Sequence, residues 1–204
     1  MIALHVENLT LIRTHRVLFR DLAFSVGPSS ALAIEGPNGA GKTSLLRLIA
    51  GFLEPAGGTI RLRTEAGEIS DGEERSGFVA WLGHQDATKP QMSVREQLSF
   101  FARLYDSKIP VGEALDAFGL SALAGLPGQF LSAGQKRRLA LARLKLSGRA
   151  LWLLDEPLAA LDAAGKALVG DAIRKHCAAH GIVLAATHES LGVDCEKLVL
   201  GAGA

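Results

Sequence analysis

The chain has 204 residues, 48% of them hydrophobic and 21% charged, which suits one domain with a sizeable core and at most an inserted lobe. A net charge of +1 argues against partners held by bulk charge, such as nucleic acid or an anionic membrane. No run approaches the ~18 apolar residues of a membrane-spanning helix, the opening stretch Met1–Glu7 lacks the basic start and apolar block of a signal peptide, and the distant pair Cys177 and Cys195 reads as two reduced thiols.

Along the chain, strand candidates alternate with helical stretches, the pattern of a parallel sheet covered by helices. Ala31 to Glu35 is a short apolar run ending at a glycine loop, and Thr43 to Ala50 is a helix stopped by Gly51. Gly57-Gly58 and the polar stretch Glu65 to Ser76 read as turns or surface loops. Phe78 to Leu82 is a second strand. Ser93-Val94-Arg95-Glu96 is a capping box, with serine capping a helix start and glutamate returning the bond. From there to about Leu126 the pattern is helical, broken at Pro110 and Gly119, with no strand candidate. Residues 87–130 are therefore expected to form a helical lobe inserted into a core of about 1–86 and 131–204. Leu151 to Leu154 is apolar at every position, as a strand buried on both faces must be, and Ile182 to Ala186 is similar. Leu198 to Leu200 is expected to close the sheet.

The first chemical signal lies between the first strand and first helix. Gly36-Pro37-Asn38-Gly39-Ala40-Gly41-Lys42-Thr43, followed by Ser44, fits the phosphate-loop pattern in its required strand-loop-helix context. Glycines let the backbone curl so that N–H groups face the phosphates, and the helix N-terminus adds a positive dipole end. Lys42 neutralises phosphate charge and the Thr43 hydroxyl suits Mg²⁺. The second signal is the strand Leu151 to Leu154 ending in Asp155-Glu156. Such an ending taken alone is as common in a solvated carboxylate. Together with the phosphate loop, Asp155 reads as a Mg²⁺ holder and Glu156 as the base that polarises the attacking water. The third is Leu131-Ser132-Ala133-Gly134-Gln135, opening a basic helix with Lys136, Arg137 and Arg138. Its chemistry fits either a plain helix cap with a solvated basic face or a phosphate supplied from another subunit.

These residues resemble the signature loop of ABC ATPases, usually Leu-Ser-Gly-Gly-Gln, and the order of motifs along the whole chain is similar to that family. Gln85 stands at the Q-loop position, Leu161-Asp162 at the D-loop and Thr187-His188 at the switch histidine. The resemblance implies an α/β phosphate-loop NTPase core of mixed, mostly parallel sheet with an inserted helical lobe. It implies ATP and Mg²⁺ as ligands, with Mg²⁺ held by Thr43, Gln85 and Asp155. It also implies a head-to-tail homodimer in which Ser132, Ala133, Gly134 and Gln135 complete the other copy's site. Asp162 then acts across the seam, and His188 contacts the γ-phosphate; taken singly, they read as a helix-capping aspartate and a strand-end histidine. The chain departs from the family at Ala133 in place of a signature glycine, at Ala159 in place of the D-loop serine, and where an adenine-stacking aromatic is expected. Arg13 is the candidate platform for the base, since a guanidinium can lie flat on it.

Trp81-Leu82-Gly83-His84-Gln85, Leu98 to Leu104, Leu131 to Leu144 and Leu151 to Pro157 are similar to the ATPase subunits of bacterial cytochrome c maturation systems. That narrower resemblance implies separate transmembrane partners, a peripheral place on the cytoplasmic face of the inner membrane, and ATP turnover that drives heme export or release of a heme-loaded chaperone. The chain has no Cys-x-x-Cys-His, so it is not expected to bind heme. The other readings are the ATPase of a different ABC exporter, a soluble ABC ATPase on a nucleic-acid or assembly scaffold, and a small-molecule kinase sharing only the phosphate loop.

Overall fold

The computed structural model describes residues 1–13 and 15–201. Two sheets organise it. The first is antiparallel, in the order β2-β1-β4-β5, from β1 (Ala3–Arg13), β2 (Arg16–Val26), β4 (Gly57–Thr64) and β5 (Gly67–Ile69). The second is parallel, in the order β6-β7-β8-β3-β9, from β3 (Ser30–Glu35), β6 (Val79–Leu82), β7 (Leu151–Asp155), β8 (Ile182–Ala186) and β9 (Glu196–Val199). The helices are α1 (Lys42–Ile49), α2 (Gly72–Ser76), α3 (Val94–Leu104), α4 (Val111–Ala117), α5 (Ala133–Leu146) and α6 (Ala163–Ala178).

The parallel sheet is buried on both sides because its central strands are apolar throughout Ala31 to Ile34, Leu151 to Leu154 and Ile182 to Ala186. Strand periodicity sorts those residues into two cores. Leu32, Ile34, Leu151, Leu153, Ile182 and Leu184 face α1 and the antiparallel sheet. Ala31, Ala33, Trp152, Leu154, Val183 and Ala185 face the second core, which includes residues of α3 to α6. Between β6 and β7 the described chain forms no strand, only α3, α4, α5 and short 3₁₀ turns. The capping box at Ser93 is present: its hydroxyl accepts from the Glu96 N–H at 3.2 Å and Glu96 accepts from the Ser93 N–H at 2.8 Å.

The antiparallel sheet is where the sequence reading falls short. It assigns no strand to residues 3–26, and it reads Gly57-Gly58 as a turn. These glycines open β4 instead, and a Cβ on Gly58 would lie 2.3 Å from the Asn8 carbonyl oxygen on β1. The stretch read as surface loop from Glu65 to Ser76 contains β5 and α2, and Arg75 within it is 4% exposed. Its guanidinium donates to the carbonyls of Leu48 and Ile49, the last turn of α1, and to those of Ile60 and Ser70. A cation at a helix C-terminus meets the negative end of the dipole and satisfies carbonyls that have no helical partner. Burial pushes the Arg75 pKa down, against Asp71 and Glu54, which hold it up.

His176 on α6 stacks on Trp152 of β7, with ring centroids 4.0 Å apart and planes 14° from parallel. Its Nε2 lies 3.1 Å from the Ala150 carbonyl oxygen, which only accepts, so Nε2 carries the hydrogen. Burial pushes the pKa from 6.5 to about 4, against the Ala150 and Ile182 carbonyls. The folded state therefore takes up this proton later than the unfolded state. The contribution to stability is complete above pH 6.5 and is lost as pH falls towards 4, by roughly 3 kcal/mol in all. His176→Phe keeps a ring on Trp152 but cannot titrate. In urea unfolding, the stability advantage of the wild type over this variant is expected to shrink by about that amount between pH 7.5 and 4; a constant difference would show that His176 does not titrate as described.

Candidate functional site

Between β3 and α1 the backbone turns through three positive-φ glycines, Gly36, Gly39 and Gly41. At Gly36 no side chain fits, because a Cβ would stand 2.5 Å from the Leu200 carbonyl oxygen. Gly41, at φ 100°, is the N-cap of α1 and has no side chain to bond the first turn. No acidic residue stands in that first turn either. The leading N–H groups of α1 therefore face outward with the positive end of the helix dipole, an arrangement suited to an anion.

Lys42 begins α1 and is 8% exposed. Its ammonium donates to the Gly36 carbonyl at 2.7 Å and the Pro37 carbonyl at 3.2 Å, and it lies 3.0 Å from Nε2 of His188. An ammonium can only donate, so Nε2 of His188 accepts and the ring is the neutral Nδ1–H tautomer. The same Nε2 lies 3.7 Å from a Glu156 carboxylate oxygen. With Nε2 accepting from Lys42, that approach is not an ion pair.

The next side chain, Thr43, donates its hydroxyl to both carboxylate oxygens of Asp155, each at 3.0 Å. Asp155 ends β7 and is 5% exposed. Two hard oxygens at that spacing match neighbouring corners of an octahedron with ~2.1 Å metal–oxygen bonds, the geometry Mg²⁺ demands. Among the described residues no group of three His, Cys, Asp or Glu could hold a metal, so Thr43 and Asp155 would supply only part of a cation's shell here, with water or phosphate oxygens filling the rest.

Glu156 follows immediately, with a left-handed backbone at φ 49°. Its N–H donates to the Ala186 carbonyl at 2.8 Å, and its own carbonyl accepts from the Ala159 N–H at 3.2 Å. Such a backbone is costly for a residue with a side chain and persists only where its surroundings hold it. His188 arrives from β8 through Thr187, whose N–H donates to the Ile34 carbonyl and whose hydroxyl closes a turn with Glu189. Phosphate loop, strand-end carboxylates and histidine thus meet at the C-terminal ends of β3, β7 and β8, where ligands of open α/β sheets bind.

A profile of the ABC transporter family matches residues 19–159. The chain belongs to the ABC transporter family, as one of its ATP-binding subunits. It is an ABC-type ATPase. It is 48% identical over 191 residues to the cytochrome c biogenesis ATP-binding export protein CcmA of Bradyrhizobium diazoefficiens, covering 93% of this chain and 94% of that protein. To the protein of the same name from Rhodopseudomonas palustris it is 44% identical, covering 97% and 98%. Among solved structures, an ABC transporter ATP-binding protein from Pyrococcus furiosus superposes with a TM-score of 0.84 at 25% identity, covering 97% of each chain.

Asn38, Gly39, Gly41, Lys42, Thr43, Ser44, Asp155 and Glu156 line one open cleft. His84, Arg47 and Leu18, none of them given a site role by sequence, line it too. Gln85 does not. It is exposed and lines a neighbouring groove with Trp81, Phe101, Tyr105 and Arg143. Arg13 ends β1 beside Arg16 in the hairpin, also away from the cleft lining, and Thr14 between them lies outside the described residues. Ser132 caps α5 in a capping box with Gln135, at 3.2 Å and 2.8 Å, and likewise does not line the cleft. Ala133 is exposed in the first turn of α5, where an added methyl meets no strain. Gly134 backs onto the segment before α6, and a Cβ there would lie 2.7 Å from the Ala160 carbonyl oxygen. Asp162 caps α6 by accepting from the Gly165 N–H at 2.7 Å.

Proposed function

We propose that this chain energises the heme-export step of cytochrome c maturation as a peripheral ATPase on the cytoplasmic face of the bacterial inner membrane. The observation that carries this reading is the match to cytochrome c biogenesis ATP-binding export proteins at 41–48% identity over about nine-tenths of the chain. No helix among the described residues is long and apolar enough to cross a membrane, which is compatible with separate transmembrane partners. The chain divides its work between a core of about 1–86 and 131–204 and a helical lobe of about 87–130.

In this reading two copies meet head to tail. Ser132, Ala133, Gly134 and Gln135 lie apart from the chain's own phosphate cleft, and the exposed start of α5 is free to serve the other copy. ATP lies along Gly36 to Ser44, with its γ-phosphate against Lys42. Thr43 and Asp155 would hold Mg²⁺, which would supply charge neutralisation at the phosphates; Gln85 would have to swing in from its groove to join them. Glu156 polarises the water that attacks in line. As Lys42 turns to the γ-phosphate, it releases Nε2 of His188, and the ring can donate to the same phosphate once its hydrogen sits on Nε2 instead of Nδ1. The partner subunit's Ser132 adds a donor from the far side, and Asp162 works across the seam. Arg13 remains the candidate platform for the adenine.

Deletion of this chain in its own organism tests the assignment. Heme-stained c-type cytochromes are expected to fall by about 10-fold or more while the apoproteins are still made, with recovery on re-expression of the wild type but not of Glu156→Gln. Undiminished heme staining in the deletion would assign the chain to another exporter.

A further inference from the structure

Arg137 stands on α5, two residues past Gln135, and is 3% exposed. Sequence alone reads it as part of a solvated basic face. The structure turns its guanidinium inward as a bracket. One nitrogen donates to the Gly83 carbonyl at 2.8 Å and to the Asp86 carboxylate at 2.9 Å. The other donates to the Asp155 carbonyl and, at 2.7 Å, to the Glu156 carbonyl. One side chain from the signature helix therefore ties the segment around Gln85 to the backbone of both catalytic carboxylates.

Two features set this contact apart from ordinary packing. Nε of Arg137 is buried without a partner, and a buried arginine with an unmet donor is a poor device for stability alone. The backbone it grips is also the strained one. Glu156 sits at φ 49°, its N–H tied to Ala186 on β8, and Arg137 holds its carbonyl on the opposite side. We propose that Arg137 is a positioning residue for hydrolysis, fixing the left-handed Glu156 backbone to the 83–86 segment so that the carboxylate faces the attacking water. The inference rests on Glu156 being the group that polarises that water. Asp86 supports the bracket by anchoring the guanidinium, and movement of the 83–86 segment reaches Glu156 through Arg137.

The test is steady-state ATPase kinetics and ATP affinity of the full chain carrying Arg137→Met, Arg137→Lys or Asp86→Asn, with Arg137→Met also placed in a Glu156→Gln background. Arg137→Met is expected to lower kcat by about 10- to 100-fold, the size of effect a ~1 Å misplacement produces, with ATP affinity unchanged within about threefold. Arg137→Lys, which retains a cation and donors, recovers part of the rate. In the Glu156→Gln background, Arg137→Met produces no further loss, because no base is left to position. Asp86→Asn lowers kcat by about threefold or more at constant KM, and it carries the test if Arg137→Met does not fold. An unchanged kcat, a parallel loss of kcat and ATP affinity, or a full additional loss in the Glu156→Gln background overturns the proposal. A wild-type rate for Glu156→Gln by itself removes the assignment of Glu156, and the proposal with it.

Discussion

Glu156→Gln lowers ATP turnover by a factor of about 100 to 10,000, the usual contribution of a positioned general base, while ATP still binds. The two halves of this expectation have separate origins. In the proposed site the phosphate contacts come from Lys42, Thr43 and the N-terminus of α1, and the side-chain bonds of Lys42 and Thr43 run to Gly36, Pro37, His188 and Asp155 and not to the Glu156 side chain. The rate comes from a carboxylate able to polarise water, and glutamine keeps the size of that group while losing its charge and basicity. His188, 3.7 Å from a Glu156 carboxylate oxygen, brings no carboxylate, and its Nε2 is occupied in accepting from Lys42.

A block at this step also reports on assembly. If ATP joins the phosphate cleft of one copy to Ser132 and Gly134 of another, the uncleaved nucleotide holds the two together. Glu156→Gln with ATP and Mg²⁺ is then expected to run as a dimer in light scattering, and the wild type to return to its starting state as ATP is consumed. Turnover within about threefold of wild type would move the base to another residue.

How much of this was legible in the sequence depended on whether a feature is local. Leu151 to Leu154 and Ile182 to Ala186 announce buried parallel strands because each residue must be apolar when both faces are covered. The phosphate loop is legible because its glycines, lysine and threonine are consecutive. β1 and β2 are harder to read: exposed charged residues and register shifts interrupt the alternation along them. Arg75 and Arg137 are the clearest losses. Each looks like surface charge, yet each ends on main-chain carbonyls, all but one of them 15 to 54 residues away. A carbonyl has no side-chain identity, so such a contact leaves no pattern in the sequence. The same applies to His84 and Gln85: the motif locates the loop, but only the backbone decides that His84 borders both the cleft and the groove beside it while Gln85 borders the groove and not the cleft.

Lys42→Ala is expected to fail one stage earlier, at binding. A charge-assisted hydrogen bond is worth about 1.5–3 kcal/mol, and two of them from an ammonium to phosphate oxygens come to roughly 3–6 kcal/mol. At about 1.4 kcal/mol per factor of ten, ATP affinity falls at least ~100-fold. The fold should survive, because the carbonyls of Gly36 and Pro37 that Lys42 occupies border open clefts where water can replace the ammonium. The substitution also removes the donor that Nε2 of His188 accepts from. Calorimetric titration with ATP separates the variants: Lys42→Ala loses heat of binding with little change in Tm, whereas Glu156→Gln retains binding and loses turnover. Full ATPase activity in Lys42→Ala would mean that the lysine does not contact the phosphates, and the cation at the mouth of α1 would have to be sought in Arg47, which lines the same cleft one turn further along the helix.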